Sequence, residues 1–206
     1  VFTPERTAQF MVSQLGELCG RILEPGAGKG VFVEELLRRG VKPSQIVAYE
    51  INPDYAERLL NLGIEVRRKD FLLEEPIFLG TFDKIIGNPP YLSRHSTYIR
   101  ENKKFLREKF KEIGVYDTYT LFLYKSLKAL KDGGVLCFIL SDSFLTIEYH
   151  RKLREFLLKN FKIKSIILAP RNLFSKQGVN NSPCIMTVEK EKPYGNKVRF
   201  IGRVLK

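Results

Sequence analysis

The stretch RILEPGAGKGVFVEELLRRG, residues 21 to 40, decides the fold class. Its apolar start reads as a short strand, Gly26, Gly28 and Gly30 as a turn, and VFVEELLRRG as a helix stopped by Gly40. A strand that enters a helix through glycines opens a parallel sheet wrapped by helices. The alternation continues along the chain. QIVAYEI is a strand and NPDYAERLLNLG a helix with an Asn-Pro start and a Gly stop. EVRRKDF and FDKIIG are strands, DTYTLFLYKSLKALKDGG a helix, VLCFILS a strand and HRKLREFLLKNF a helix. KIKSIILAP and SPCIMTVEK finish as strands with no helix between them, so they are predicted to pair antiparallel at the edge. Ahead of this unit, residues 4 to 19 carry Phe10, Met11, Leu15 and Leu18 near helical spacing, with Thr3 as N-cap and Pro4 as first helical residue. Residues 1–191 are expected to form one domain, and residues 192–206 a segment leaving it.

An apolar fraction of 44% in 206 residues supports a core without disulfides or structural metals. Cys19, Cys137 and Cys184 fit no CxxC or zinc spacing and point to a reducing, cytoplasmic compartment. With His95 and His150 as the only histidines, no metal site is expected. No run has the length of a membrane span, no signal peptide is visible, and VFTPER reads as the interior of a longer gene product. The net charge of +12 suits a polyanionic partner, although Lys/Arg-rich composition also occurs in thermophilic and ribosome-associated proteins.

Glu50 ends the second strand, at the spacing where an acid can accept both hydroxyls of an adenosine ribose. Turn plus acid suits an adenosine cofactor, and by itself leaves NAD and S-adenosylmethionine open. GAGKG misses the GxGxxG register and no phosphate-cradling GK[ST] is present, which favours a ligand without phosphate. Asp70, ending the third strand, adds an acceptor at the same edge for an adenine amino group.

FDKIIGNPPYLSRHS, residues 82 to 96, places Asn88-Pro89-Pro90-Tyr91 at a strand end. Each proline drives the residue before it into an extended conformation, so Asn88 and Pro89 have little freedom. The Asn88 side-chain oxygen and the Pro89 carbonyl become two pre-aimed acceptors, a match for an NH₂ group. An amine on an aromatic ring or amide is a poor nucleophile; accepting both its hydrogens turns its lone pair toward an electrophile. Tyr91 can stack on a planar substrate. A rigid strand-to-loop turn is the plainer use of the same residues.

The chain resembles the gamma class of DNA adenine-N6 methyltransferases, especially the catalytic domains of type I and type IIG restriction–modification enzymes. The resemblance runs in order through VFTPERTAQFMV, ILEPGAGKGVF, VAYEINP, KDFL, FDKIIGNPPY, YDTYTLFLYKSLKALKDGGVLCFILSDSFL and HRKLREFLLKNFKIKSII. It implies a Rossmann-like, mostly parallel seven-stranded sheet with an antiparallel last strand and helices on both faces. It implies Thr3, Glu24, Gly26, Gly28, Glu50, Ile51, Asp70, Phe71 and Pro90 around S-adenosylmethionine. Asn88, Pro89 and Tyr91 would hold a flipped adenine, with Phe174 of RNLFSKQ closing its other face and Val1 touching it. A core phenylalanine is the other reading of Phe174. A target-recognition domain or subunit outside this chain is also implied, since residues 192–206 are too few to form one.

The basic residues after the corner (Arg94, Arg100, Lys103, Lys104, Arg107, Lys109 and Lys111) suit DNA phosphates. They equally suit a solvated face, because Ile99, Leu106, Phe110 and Ile113 fall on one side of an amphipathic helix. Three other functions fit the same residues. One is transfer to an RNA base amine or a release-factor glutamine amide; another is a non-catalytic cofactor-binding module in a larger assembly. The third is a nicotinamide oxidoreductase.

Overall fold

A computed structural model of the chain describes residues 2–75, 80–174 and 182–202. The strands are β1 (Ile22–Glu24), β2 (Ile46–Tyr49), β3 (Glu65–Arg67), β4 (Phe82–Gly87), β5 (Leu130–Ser141), β6 (Lys162–Leu168), β7 (Pro183–Glu189) and β8 (Arg199–Ile201). The helices are α1 (Glu5–Ser13), α2 (Val31–Arg38), α3 (Pro53–Leu60), α4 (Thr97–Glu101), α5 (Lys103–Lys109), α6 (Thr118–Ala129) and α7 (Arg151–Asn160). Among the described residues these eight strands form one sheet, in the order β3-β2-β1-β4-β5-β7-β6-β8. Only β7 runs against its neighbours.

Alternation along the strands places one cluster of side chains on each face of the sheet. Leu23, Val47, Tyr49, Ile85, Leu136 and Phe138 pack with α5, α6 and α7, whereas Ile22, Ile46, Ala48, Ile86, Val135 and Cys137 pack with α1, α2 and α3. The expected α/β class and wrapped sheet follow from this two-sided burial.

Four expectations need correction. The sheet has an eighth strand, because Arg199–Ile201 pairs parallel with β6 inside the segment expected only to leave the domain. The antiparallel strand is not at the edge: β7 lies between β5 and β6. Its residues 183 to 188 are buried throughout, and a strand apolar on both faces belongs inside a sheet. α6 ends at Ala129, before KDGG, because Leu130 is already extended and paired with Phe82, and Gly133 turns with φ 75°. Thr3 does not cap α1; Pro4 occupies that position without a side-chain bond, leaving the Thr3 hydroxyl for another partner.

The basic segment folds as two short helices, α4 and α5, joined at Asn102. Ile99, Leu106, Phe110 and Ile113 are buried in the core, which turns the charged residues outward.

Candidate active site

Strand order reverses between β1 and β4: the chain proceeds from β1 through β2 to β3 on one side, and from β4 to β5 on the other. Ligands of such sheets bind at the carboxyl ends of the strands beside that reversal. A cleft of about 530 Å³ opens there, bounded by the ends of β1, β2, β3 and β4 and by α6.

Gly28 has φ 54°, a left-handed backbone, and its N–H donates to Glu50 Oε2 at 2.6 Å. Glu50 Oε1 accepts from Asn52 N at 2.7 Å, at the start of α3. The carboxylate thus ties the glycine turn to the next helix, and each oxygen keeps a further lone pair for the cleft. Asp70 and Phe71 form the adjoining wall. Asp70 Oδ1 accepts from Leu72 N at 2.8 Å, and the Phe71 ring lies 5.1 Å from Tyr49 and 5.3 Å from Phe122. Ile51 stands on the rim, 70% exposed, and Gly26 and Pro90 line the cleft opposite Phe122.

Asn88 has one side-chain atom tied and the other open. Its Nδ2 donates to Thr3 Oγ1 at 3.2 Å, which fixes the amide, while its Oδ1 is buried without a hydrogen-bond partner in the structure. An unpartnered buried acceptor is costly unless something completes it, and this one belongs to a residue on the cleft wall. Pro89 and Tyr91 line the cleft beside it. Tyr91 donates its hydroxyl to Ile139 O at 2.9 Å and lies 5.6 Å from Tyr119. Burial pushes that hydroxyl well above the ordinary tyrosine range, with Cys184 and Tyr119 adding smaller contributions, so Tyr91 is neutral.

The remaining expected residues are dispersed. Glu24 and Thr3 sit behind the wall, 1% and 7% exposed, and neither lines the cleft. Burial raises the Glu24 carboxyl well above its usual range, the Glu50 charge raises it further, and the Val33 backbone partly opposes both. Its Oε2 is also unpartnered. Phe174 requires a correction: it is fully buried in the cluster containing Ala8, Met11 and Phe32, away from the cleft. The apolar packing of that cluster has claimed the ring. Val1 lies outside the described residues. Arg94, Arg100, Lys103, Lys104 and Arg107 are exposed, and none forms an ion pair among the described residues. Lys109 differs, pairing with Glu75 at 2.5 Å.

Several lining residues escaped the sequence reading, among them Phe122 and Lys69, and two more shape the site most directly. Phe2 lines the cleft against Gly28, edge-on to Tyr55 at 5.8 Å and beneath the Lys29 ammonium at 4.6 Å. Its position next to Thr3 was the available signal. Thr118, the first residue of α6, donates to Pro90 O and accepts from Leu92 N at 2.9 Å, locking both sides of the proline corner. A lone threonine at a helix start offers no comparable signal.

The lining fits an adenosine-bearing methyl donor such as S-adenosylmethionine. Acceptors at Glu50 and Asp70 suit hydroxyl and amino groups, and Ile51, Phe71, Pro90 and Phe122 suit a flat base. Among the described residues Lys69 is the one cation lining the cleft, which does not make a pyrophosphate cradle. Among the described residues no group of three or more His, Cys, Asp or Glu could hold a metal, and no helix is long and apolar enough to cross a membrane.

Comparison with known proteins agrees with this architecture. The chain is 31% identical over 205 residues to the type II methyltransferase M.HincII of Haemophilus influenzae, covering 95% of this chain and 38% of that protein. The M protein of the type I restriction enzyme EcoKI superposes with a TM-score of 0.75 at 17% identity, over 95% of this chain and 44% of its own. A protein of Listeria monocytogenes described as a class I S-adenosylmethionine-dependent methyltransferase superposes at 0.73 and 19% identity, over 98% and 66%. These two likenesses are of fold. The chain thus spans about two fifths of the curated relative it matches. The model of the Eco57I restriction-modification methylase family matches residues 36–174, from the end of α2 through β6. The chain belongs to that family.

Proposed function

We propose that this chain is the catalytic part of a restriction–modification methyltransferase that transfers a methyl group from S-adenosylmethionine to the exocyclic N6 amine of a flipped adenine in DNA. The observation that carries this reading is the buried, unpartnered Asn88 Oδ1 on a cleft shared with Glu50 and Asp70. When bound, S-adenosylmethionine supplies an electrophilic methyl on a sulfonium centre. Glu50 and Asp70 hold the adenosine hydroxyls and base edge through their free lone pairs, and Phe71, Ile51 and Pro90 pack its flat faces. Asn88 Oδ1 and the Pro89 carbonyl accept the two hydrogens of the target amine, drawing its lone pair out of conjugation. Tyr91, neutral and anchored at its hydroxyl, presents its ring to the target base. Holding the amine in register with the electrophile supplies much of the acceleration. Glu24, behind the cleft wall, backs the glycine turn that carries Gly26 and Gly28 toward the donor.

The exposed Arg94, Arg100, Lys103, Lys104 and Arg107 are proposed to follow the DNA backbone next to the cleft. Sequence selection is assigned to a recognition domain or subunit beyond residues 1–206, and the working compartment to the prokaryotic cytoplasm. The test offers DNA, RNA and release factor to the protein with methyl-labelled cofactor and identifies the product by nucleoside and peptide mass spectrometry. N6-methyladenine in DNA is expected. Label in RNA or in a glutamine amide would overturn the substrate, and bound cofactor with no transfer to any of the three would overturn the enzyme.

A further inference from the structure

Lys125 is a buried charge that the mechanism above leaves unused. It lies in the middle of α6 at 4% exposure and does not line the cleft. Burial lowers its pKa to about 8; the acids Glu74, Glu75 and Asp70 on the loop facing it oppose that shift, and Lys109 of α5 reinforces it. Leucine or methionine would fill this space without desolvating an ammonium. The lysine is matched by what its Nζ touches: it donates to Phe71 O, to Glu74 O at 2.7 Å and to Leu72 O at 3.4 Å. The same ammonium sits 5.0 Å from the centre of the Phe71 ring.

Those three carbonyls belong to a single turn. Leu73 N and Glu74 N donate back to Asp70 O, and Leu72 N donates to the Asp70 carboxylate. A turn this short cannot satisfy its own carbonyls, and here they converge on one cation in place of water. The turn is also the wall that carries Asp70 and Phe71 into the cleft. Thr118, Phe122 and Lys125 are spaced four and three apart, so they form one stripe of α6. That stripe touches the proline corner through Thr118, the Phe71 ring through Phe122, and the backbone of the Asp70–Glu74 turn through Lys125.

We propose that Lys125 is a positioning residue for the cofactor side of the cleft: its ammonium gathers the turn that presents Asp70 and Phe71, and α6 thereby sets that wall and the catalytic corner in one register. This rests on the reading of the Asp70–Phe71 wall as the face that binds the adenosine of the donor. Losing the proton from Lys125 removes its charge and leaves two N–H donors for three carbonyls, so the turn is held less tightly and donor affinity falls as pH rises through about 8. Global stability moves the other way. The folded state holds this proton less tightly than the unfolded chain, so the group's contribution to stability rises with pH over the same range.

The test is calorimetric titration of the protein with S-adenosylhomocysteine from about pH 6.5 to 9.5, with thermal unfolding measured alongside. Wild type is expected to lose about fivefold or more in affinity across the range with no parallel fall in unfolding temperature. Lys125→Arg, whose guanidinium stays charged throughout, should flatten the profile. Lys125→Met should bind about tenfold more weakly at neutral pH, with no alkaline step. Wild-type affinity in Lys125→Met, or the same alkaline loss in Lys125→Arg, would overturn the proposal. A flat wild-type profile would do so without any variant. Failure of wild type to bind S-adenosylhomocysteine at every pH would remove the reading of the cleft itself, an outcome distinct from any failure of Lys125.

Discussion

The Asn88 side-chain amide donates to the Thr3 hydroxyl at 3.2 Å across 85 positions of sequence. The N-terminal segment therefore decides which atom of that amide stays open to the cleft. Asn88→Ala is expected to lower single-turnover methyl transfer by about 100-fold or more, as removal of a transition-state hydrogen-bond partner does, with S-adenosylhomocysteine affinity nearly unchanged. Thr3→Val keeps the shape of the side chain but releases the amide. It should lower turnover by about tenfold, and Thr3→Ser should restore it. Equal turnover in Thr3→Val and wild type would disconnect the N-terminal segment from the clamp.

Thr118 makes the corresponding connection on the other side of the corner. Its hydroxyl serves Pro90 O and Leu92 N together, so Thr118→Val leaves both without that partner. The cost should be about 1–3 kcal/mol in urea unfolding, with a matching loss of turnover, and Thr118→Ser should be close to wild type. A valine variant with unchanged stability would show that water replaces the hydroxyl at no cost.

Glu24 combines a raised pKa with an unpartnered oxygen. Burial is the main cause of the shift and the Glu50 charge the second. A carboxyl whose folded pKa is raised contributes stability while protonated and loses that contribution as pH rises through the folded pKa. Glu24→Gln, neutral at every pH, should therefore unfold at a higher temperature than wild type in alkaline buffer without ligand. The advantage should vanish toward the ordinary carboxylate range near 4.5. The same variant should bind the donor more weakly. A glutamine variant less stable than wild type at alkaline pH would contradict the sign.

The outward charges of α4 and α5 give a prediction in salt. Replacing Arg100, Lys103 and Lys104 with glutamine should reduce the slope of log affinity for DNA against log salt by about 0.9 for each phosphate that the variant no longer neutralises. S-adenosylhomocysteine affinity should stay the same. An unchanged slope would leave these residues as the solvated face of an amphipathic pair of helices.

The parts of the fold that local chemistry dictates were legible in the sequence. FDKIIG folds as the strand Phe82–Gly87, and the Asn52 side chain caps α3 through Asp54 N and Tyr55 N as its Asn-Pro start suggested. The acid at Glu50 does meet the glycine turn, although it spends one lone pair of each oxygen on backbone N–H groups. What stayed hidden depends on distant partners. The apolar run of β7 suits an interior strand, but that β5 and β6 are the neighbours that accept it from both sides is not written in its own residues. Phe174 and Phe2 illustrate the same limit in opposite directions. One phenylalanine near the expected site disappears into the core, and another, at the chain's start, forms part of the cleft. Lys125 reads as one more polar position on a helix until the Asp70–Glu74 turn, far earlier in the chain, is seen to close on it.

The direction of β8 has a practical consequence for handling the protein. β8 runs parallel with β6, and β6 runs with β5 because β7 opposes both. The carboxyl end of β8 therefore points to the same edge of the sheet as the cleft, where Phe2 also lies. A reporter attached beside Phe2 would crowd the reaction mouth and confound activity assays. The exposed Asp132–Gly133 turn, at the opposite edge, is the safer place to attach a reporter.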